Sequence, residues 1–233
     1  NLKASYAALE KDSNDALDAN IKKNRELLAQ LEAKEKALAA EQERLNKLKK
    51  DLEASSSRLA DLEKMIADKE ALMNKLKETL SKSLKAFEGK GLTVENRNGK
   101  VYVSMENKLL FESGSWTVGA EGKKAVKLVG DVLGQNPDIS VLIEGHTDND
   151  KITGTIGGGV ENNWDLSTKR ATAIVNILSE NKAIDKRNLT AAGRGEYAPL
   201  MSNETAEDKA KNRRIEIILT PKLDEISKML NEL

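Results

Sequence analysis

The chain of 233 residues has no cysteine and a single histidine, His146. This removes disulfide frameworks, thiol nucleophiles and the multi-ligand His/Cys zinc sites. It also has no excess charge, its 38 basic side chains matching its 38 acidic ones, so nothing marks it for a polyanion and no nucleic-acid partner is expected. Aromatic residues make up only 3%, yet the chain is 39% apolar, too much for a disordered tail. No run of about 18 apolar residues is present to span a bilayer, and the expectation is a soluble protein. Because the chain opens on Asn1 rather than methionine, it reads as processed or trimmed, with any membrane contact made only through an anchor or signal upstream of residue 1.

Proline and glycine are missing from a whole segment. All 15 glycines and all three prolines follow residue 88, while residues 1–88 carry 18 basic and 17 acidic side chains. In that segment Leu31, Leu38, Leu45, Leu52, Leu59, Ile66, Met73 and Leu80 recur every seven residues, which keeps an apolar seam on a supercoiled helix. The seam three residues on is half polar, Leu48, Leu62 and Leu76 alternating with Glu41, Ser55, Lys69 and Ser83. The prediction is a long α-helical coiled coil that acts as a spacer of roughly 130 Å and forms a homo-oligomer, dimer or trimer. Ser55-Ser56-Ser57 could interrupt the helix or let it fold back as a hairpin. The charges of this segment, Lys47, Lys49 and Lys50 among them, interleave with acids and read as a solvated face rather than a membrane patch.

Glu88-Gly89-Lys90-Gly91 is expected to end the helix. Beyond it, periodicity predicts strands at 101–105, 108–111, 139–144, 189–192 and 213–219 and helices at 119–133 and 164–178. That is a βαβαβ pattern with a terminal strand: an α+β domain with a mixed sheet. The organisation predicted is a coiled-coil stalk over 1–88, the mixed-sheet domain over 89–220 and a C-terminal amphipathic helix over 221–233, where Leu223, Ile226, Leu230 and Leu233 share a face.

Polar residues cluster at element ends. Gly145-His146-Thr147-Asp148 closes a strand, and Asn163-x-x-Leu166-Ser167-x-x-Arg170-Ala171 opens a helix. Then come Gly193-x-Gly195-Glu196-x-x-Pro199, Asn203-x-Thr205 and Asn212-Arg213-Arg214. These five motifs in this order resemble the OmpA-like peptidoglycan-binding domain, over roughly residues 105 to 219. The resemblance implies non-covalent binding of the peptidoglycan stem peptide, whose diaminopimelate carries an ammonium and a carboxylate on one carbon. By resemblance Asp148 takes the ammonium, Arg170 the carboxylate, Asn163 a ligand contact, and Arg213 a second basic contact. Asn163 is also expected to cap its helix. Strand alternation sends one of Arg213 and Arg214 into the pocket and the other away, and Arg213 is preferred. The location implied is the periplasm of a Gram-negative bacterium, with attachment to the outer membrane.

Two features depart from the family pattern. A Gly-rich insertion, Gly154 to Gly159, lengthens the segment between Asp148 and Arg170, and Asp208-Lys209 stands where the family often has Gly-Arg. Other readings fit less well. No Ser or Cys nucleophile sits in a recognisable motif, so His146 is read as a hydrogen-bonded structural residue and no enzyme is expected. Asp148-Asn149-Asp150 fails as a calcium loop at Ile152 and Thr153, and Gly157-Gly158-Gly159 lacks the Gly-Lys-Ser/Thr of a phosphate loop. No metal or cofactor is expected. The functional reading is an envelope tether. The alternatives are a wall-anchoring subunit of a motor stator or secretion machine, a wall-cleaving enzyme, or a coiled-coil scaffold without wall binding.

Overall fold

The computed structural model describes residues 2–112, 114–152, 157–224 and 226–227. Contacts divide the chain into a unit ending at Glu63 and a unit from Lys64 onward. One helix, α1 (Leu2–Ser83), begins in the first and ends in the second, and it runs unbroken through the three serines at 55–57. In the first unit every described residue but the half-buried Leu62 is exposed, Leu31, Leu38, Leu45, Leu52 and Leu59 included. A seam of leucines left in water by a lone helix is what a coiled-coil repeat produces before it meets a partner helix.

In the second unit the repeat changes use. Met73, Leu76 and Leu80 are buried in the core of the globular part, joined by Leu84 and by Phe87 from a 3-10 turn at Lys85–Phe87. The helix therefore ends at Ser83, before the glycines. Gly89 and Gly91 take left-handed backbone and turn the chain into the sheet instead of capping α1.

The remaining elements are β1 (Leu92–Arg97), β2 (Lys100–Glu106), α2 (Asn107–Leu110), α3 (Ala120–Gly134), β3 (Ile139–His146), α4 (Asn163–Leu178), β4 (Leu189–Gly193), α5 (Ala206–Asn212) and β5 (Arg214–Pro221). They form the α+β mixed sheet that the alternation of elements predicted. The sheet order is β1-β2-β5-β3-β4, with β3 and β4 parallel through the α4 crossover and the other pairs antiparallel. Alternation places Val101, Val103 and Met105 of β2, Ile139, Val141 and Ile143 of β3, and Ile215, Ile217 and Leu219 of β5 in one core. Helix α3 adds Ala125, Val126, Val129, Val132 and Leu133, and α4 adds Ala171, Ile174, Ile177 and Leu178, each at helical spacing.

Three local expectations are corrected. Residues 108–111 are not a strand: Asn107–Leu110 is a single helical turn that buries Leu110, and only Phe111 makes an isolated bridge, to Val118. A four-residue apolar run carries no period of its own, and the chain has to turn away from β2 here. Secondly, β1 was not anticipated. It pairs with β2 through a two-residue turn at Asn98-Gly99, both at positive φ, the hairpin geometry that this dipeptide favours. Thirdly, the helix foreseen over 221–233 is described only in part: β5 runs to Pro221, Ser227 N donates to the Leu223 carbonyl at 2.8 Å, and Glu225 and 228–233 lie outside the described residues.

Candidate functional site

The site is built where β3, β4 and α4 converge. Gly145 and Gly193 are register partners at the ends of the two parallel strands. A Cβ on Gly145 would lie 2.1 Å from the Ser167 carbonyl oxygen, and one on Gly193 2.2 Å from Thr168 Oγ1. Only bare backbone lets the second turn of α4 sit down on the strand ends. Three hydrogen bonds lock the junction: Thr147 N to Gly195 O (2.9 Å), Arg194 N to Gly145 O (2.8 Å) and Gly195 N to Ser167 Oγ (3.1 Å). Two of the five sequence motifs, Gly-His-Thr-Asp and Gly-x-Gly-Glu, thus meet on a third.

The convergence opens a cleft of about 660 Å³ whose walls include Asp148, Asn163, Arg170 and Arg213. The structure brings all four candidate residues together. Asp148 is buried; its carboxylate accepts from Asp150 N at 3.2 Å and pairs with the half-buried Arg213 guanidinium. Arg170 is 3% exposed, its Nε donating to the Ser115 carbonyl at 2.9 Å and its guanidinium carbon 5.2 Å above the Phe111 ring. Burial, and then the neighbouring Arg213 charge, lowers the Arg170 pKa to about 10 against the opposing pull of Asp148, so the group stays cationic near neutrality.

Asn163 has a different local role from the one foreseen. The cap of α4 is Asn162, whose side chain accepts from Asp165 N at 3.1 Å. Asn163 is the first helical residue, and its amide donates to the Asp150 carbonyl at 3.1 Å and to Glu196 Oε2 at 2.7 Å. It ties the Asp148 loop to the Gly195-Glu196 turn. Lys209, at one of the positions that depart from the family pattern, pairs with Asp150 and fastens α5 to the same loop. Asn212, fully buried, accepts from Leu200 N and Met201 N and donates to Met201 O and Asn203 Oδ1, while Thr205 caps α5. Three motif asparagines therefore hold loops.

The two arginines of the last motif part company. Arg213 lines the cleft, whereas Arg214 is buried behind it, with its Nε on Glu216 Oε1 at 2.9 Å. Nearby, Glu144, His146 and Glu216 bring one potential ligand atom each within 4.8 Å of one another. Arg214 and Arg194 (Nε 3.9 Å from Glu144 Oε2) already neutralise the two carboxylates, so this is a charge-compensated polar core with little attraction for a cation. His146 is 2% exposed, with Nε2 lying 3.5 Å from Glu144 Oε2 and 3.8 Å from Glu216 Oε2, longer than an ordinary hydrogen bond. Burial, then Arg214 and Arg194, pushes its pKa from 6.5 down to about 3, so it is a neutral imidazole.

Some site residues escaped sequence reading. Ser115 and Phe111, which hold Arg170, carried no motif signal; Glu196, which holds Asn163, stood inside a quoted motif without a role. Of the Gly-rich insertion, 154–156 lie outside the described residues; Gly158 packs on Trp116 and Lys169, whose Nζ donates to the Gly158 carbonyl.

Residues 110–213 match the OmpA family. Motility protein B of Bacillus subtilis is 36% identical over 120 residues, 52% of this chain and 45% of that protein. Peptidoglycan-binding protein ArfA of Mycobacterium bovis is 37% identical over 91 residues, 39% of this chain and 26% of that protein. The chain thus spans half or less of these relatives. Among solved structures, the cell wall anchor of the T6SS from Pseudomonas aeruginosa superposes with a TM-score of 0.55 at 29% identity, covering 61% of this chain and 97% of that one.

Proposed function

Starting from an OmpA family domain at residues 110–213, we propose that this chain binds peptidoglycan non-covalently through the Asp148–Arg170–Arg213 cleft and tethers the cell envelope to it. The observation that carries the reading is the placement of the Asp148 carboxylate and the Arg170 and Arg213 guanidiniums around one cavity, whose walls also carry Glu106, Asp150, Lys108 and Lys151. Diaminopimelate offers the matching pair, an ammonium for Asp148 and a carboxylate for the fork of Arg170. The Ser115 carbonyl and the Phe111 ring hold that fork before any ligand arrives, which lowers the cost of ordering it. A ligand ammonium shares Asp148 with Arg213, so binding exchanges one ion pair for a network. Relatives whose names record a role include a peptidoglycan-binding protein, a cell wall anchor and a motility protein.

The seam of α1 supplies the second half of the proposal. Two or more chains joined along Leu31 to Ile66 present several clefts to one wall, and each captured stem peptide raises the effective concentration of the next. The site of action is the periplasm, with attachment to the outer membrane through an anchor upstream of residue 1. A second reading, a wall-anchoring subunit of a motor stator or secretion machine, is favoured by the likeness to motility protein B and to the T6SS anchor. An inner-membrane helix upstream of residue 1 distinguishes it from a lipid anchor.

The test is calorimetric titration of the full chain with a diaminopimelate-containing stem peptide, beside Asp148→Ala and Arg170→Ala. Losing either charge-assisted partner costs about 1.5–3 kcal/mol, roughly 10- to 150-fold in affinity. A folded wild-type chain that shows no heat of binding rules the tether out and leaves the scaffold.

A further inference from the structure

The geometry points to a second, sugar-binding subsite beside the cleft: the stacked rings of Trp164 and Tyr197 form a platform for a pyranose of the glycan strand. This rests on the wall-binding reading above and extends it from the peptide to the saccharide. In a chain with only two tryptophans, three tyrosines and two phenylalanines, exposed aromatic surface is scarce. Phe87 and Phe111 are buried, Tyr102 lies under Arg97, Trp116 is covered by Lys169 and Gly158, and Tyr6, 72% exposed, stands on α1 within the first unit. Trp164 and Tyr197 instead remain 48% and 66% exposed while stacked on each other, centroids 5.2 Å apart and planes 22° from parallel.

The pair is positioned by the site's own architecture. Trp164 opens α4 next to Asn163, and Tyr197 follows Glu196, the residue that Asn163 grips. Both rings pass over Gly195, where an added Cβ would lie 3.5 Å from Tyr197 and 3.6 Å from Trp164. They edge a shallow cavity of about 260 Å³ that shares Lys151, Ile152 and Asn163 with the larger cleft, so the two are neighbours.

The chemistry of this cavity is two-sided. Flat apolar rings form one wall, and Lys151, Glu161, Asn162 and Glu196 supply donors and acceptors around it. A pyranose has the matching character, an apolar C–H face for the rings and a rim of hydroxyl or acetamido groups for the polar side chains. Peptidoglycan carries such a ring on the same strand as the stem peptide. Diaminopimelate is separated from the sugar by two residues and a lactyl group, on the order of 10 Å of extended chain.

The experiment titrates the full chain with two probes, a sugar-free diaminopimelate stem peptide and the same peptide carrying its N-acetylglucosaminyl-N-acetylmuramyl disaccharide. Expected is about tenfold tighter binding of the glycosylated probe, a preference that Tyr197→Ala and Trp164→Ala abolish and Tyr197→Phe retains, with the sugar-free affinity unchanged in all three. Equal wild-type affinity for both probes overturns the platform and leaves the peptide cleft standing. A preference that survives Tyr197→Ala and Trp164→Ala also overturns it. Binding of neither probe removes the wall-binding reading and the platform with it.

Discussion

Substituting Gly145 by alanine tests the mechanism by which the site is assembled, because the clash it creates is with backbone. The new Cβ falls 2.1 Å from Ser167 O and 2.8 Å from Ser167 C. Carbon–oxygen contacts relax at about 3.3 Å or more, so α4 and β3 must separate by roughly 1 Å. No flexible side chain can absorb that. Overpacking of this kind costs about 1–3 kcal/mol, and straining the Thr147–Gly195, Arg194–Gly145 or Gly195–Ser167 hydrogen bond adds about 1 kcal/mol or more. A total of about 3 kcal/mol corresponds to a fall of roughly 10 °C in Tm for a unit of this size. Both tryptophans, Trp116 and Trp164, lie in the unit from Lys64 onward, so thermal unfolding followed by tryptophan fluorescence reports on that unit without interference from the long helix. Gly130→Ala is the matched control. It lies inside α3 with Leu178 Cδ2 3.4 Å from the added Cβ, and alanine there raises stability by about 0.5–1 kcal/mol. A Gly145→Ala Tm within about 2 °C of wild type would refute the close-approach argument.

Other outcomes follow from the buried charges and the seam. Arg214→Ala strands the 5%-exposed Glu216 carboxylate and costs about 3–5 kcal/mol, and pairing it with Glu216→Leu recovers much of that in a denaturation cycle; a single variant as stable as wild type contradicts the pairing. His146 stays neutral in the fold down to about pH 3 while the unfolded chain protonates near 6.5. Acid therefore favours unfolding across that window, and between pH 7.5 and 5 the imidazole removes about 2 kcal/mol of stability that His146→Gln should not lose. Parallel pH profiles of the two proteins would argue against this. Leu45→Asp with Leu52→Asp places carboxylates in the seam and should leave the full chain monomeric by sedimentation equilibrium, with its tryptophan-monitored Tm unchanged. An unaltered mass would remove the seam as the association surface.

Elements with a long, clean period were legible in the sequence. Helices α3 and α4 repeat apolar residues over three to four turns, and β3 and β5 alternate against a buried face, so period alone defines them. Strand β1 was not legible because it is an edge strand whose only buried residue is Leu92, leaving no alternation to detect. Residues 73–80 misled for another reason: the leucine repeat continues across them unchanged, and nothing local tells a seam residue that meets a partner helix from one that meets its own sheet. Within the site, motif order was enough to collect Asp148, Asn163, Arg170 and Arg213 around one cavity. The carbonyl and ring that orient Arg170 lie 55 and 59 positions away from it, and such contacts exist only once the sheet has formed.

The order of the strands bears on when the domain can come into being. Hairpin β1–β2 and the parallel pair β3–β4 share no strand, and β5, the last strand in the chain, is inserted between them. Until residue 221 is available, the two halves of the sheet each present an open edge where the centre should be. Folding is thus a late event that closes from the C-terminal side, dominated by pairings distant in sequence such as Met105 with Ile215. A chain cut before Arg213 loses its central strand and, with Arg213 itself, a wall of the cleft and the partner of Asp148, and its unpaired β2 and β3 edges are open to other chains.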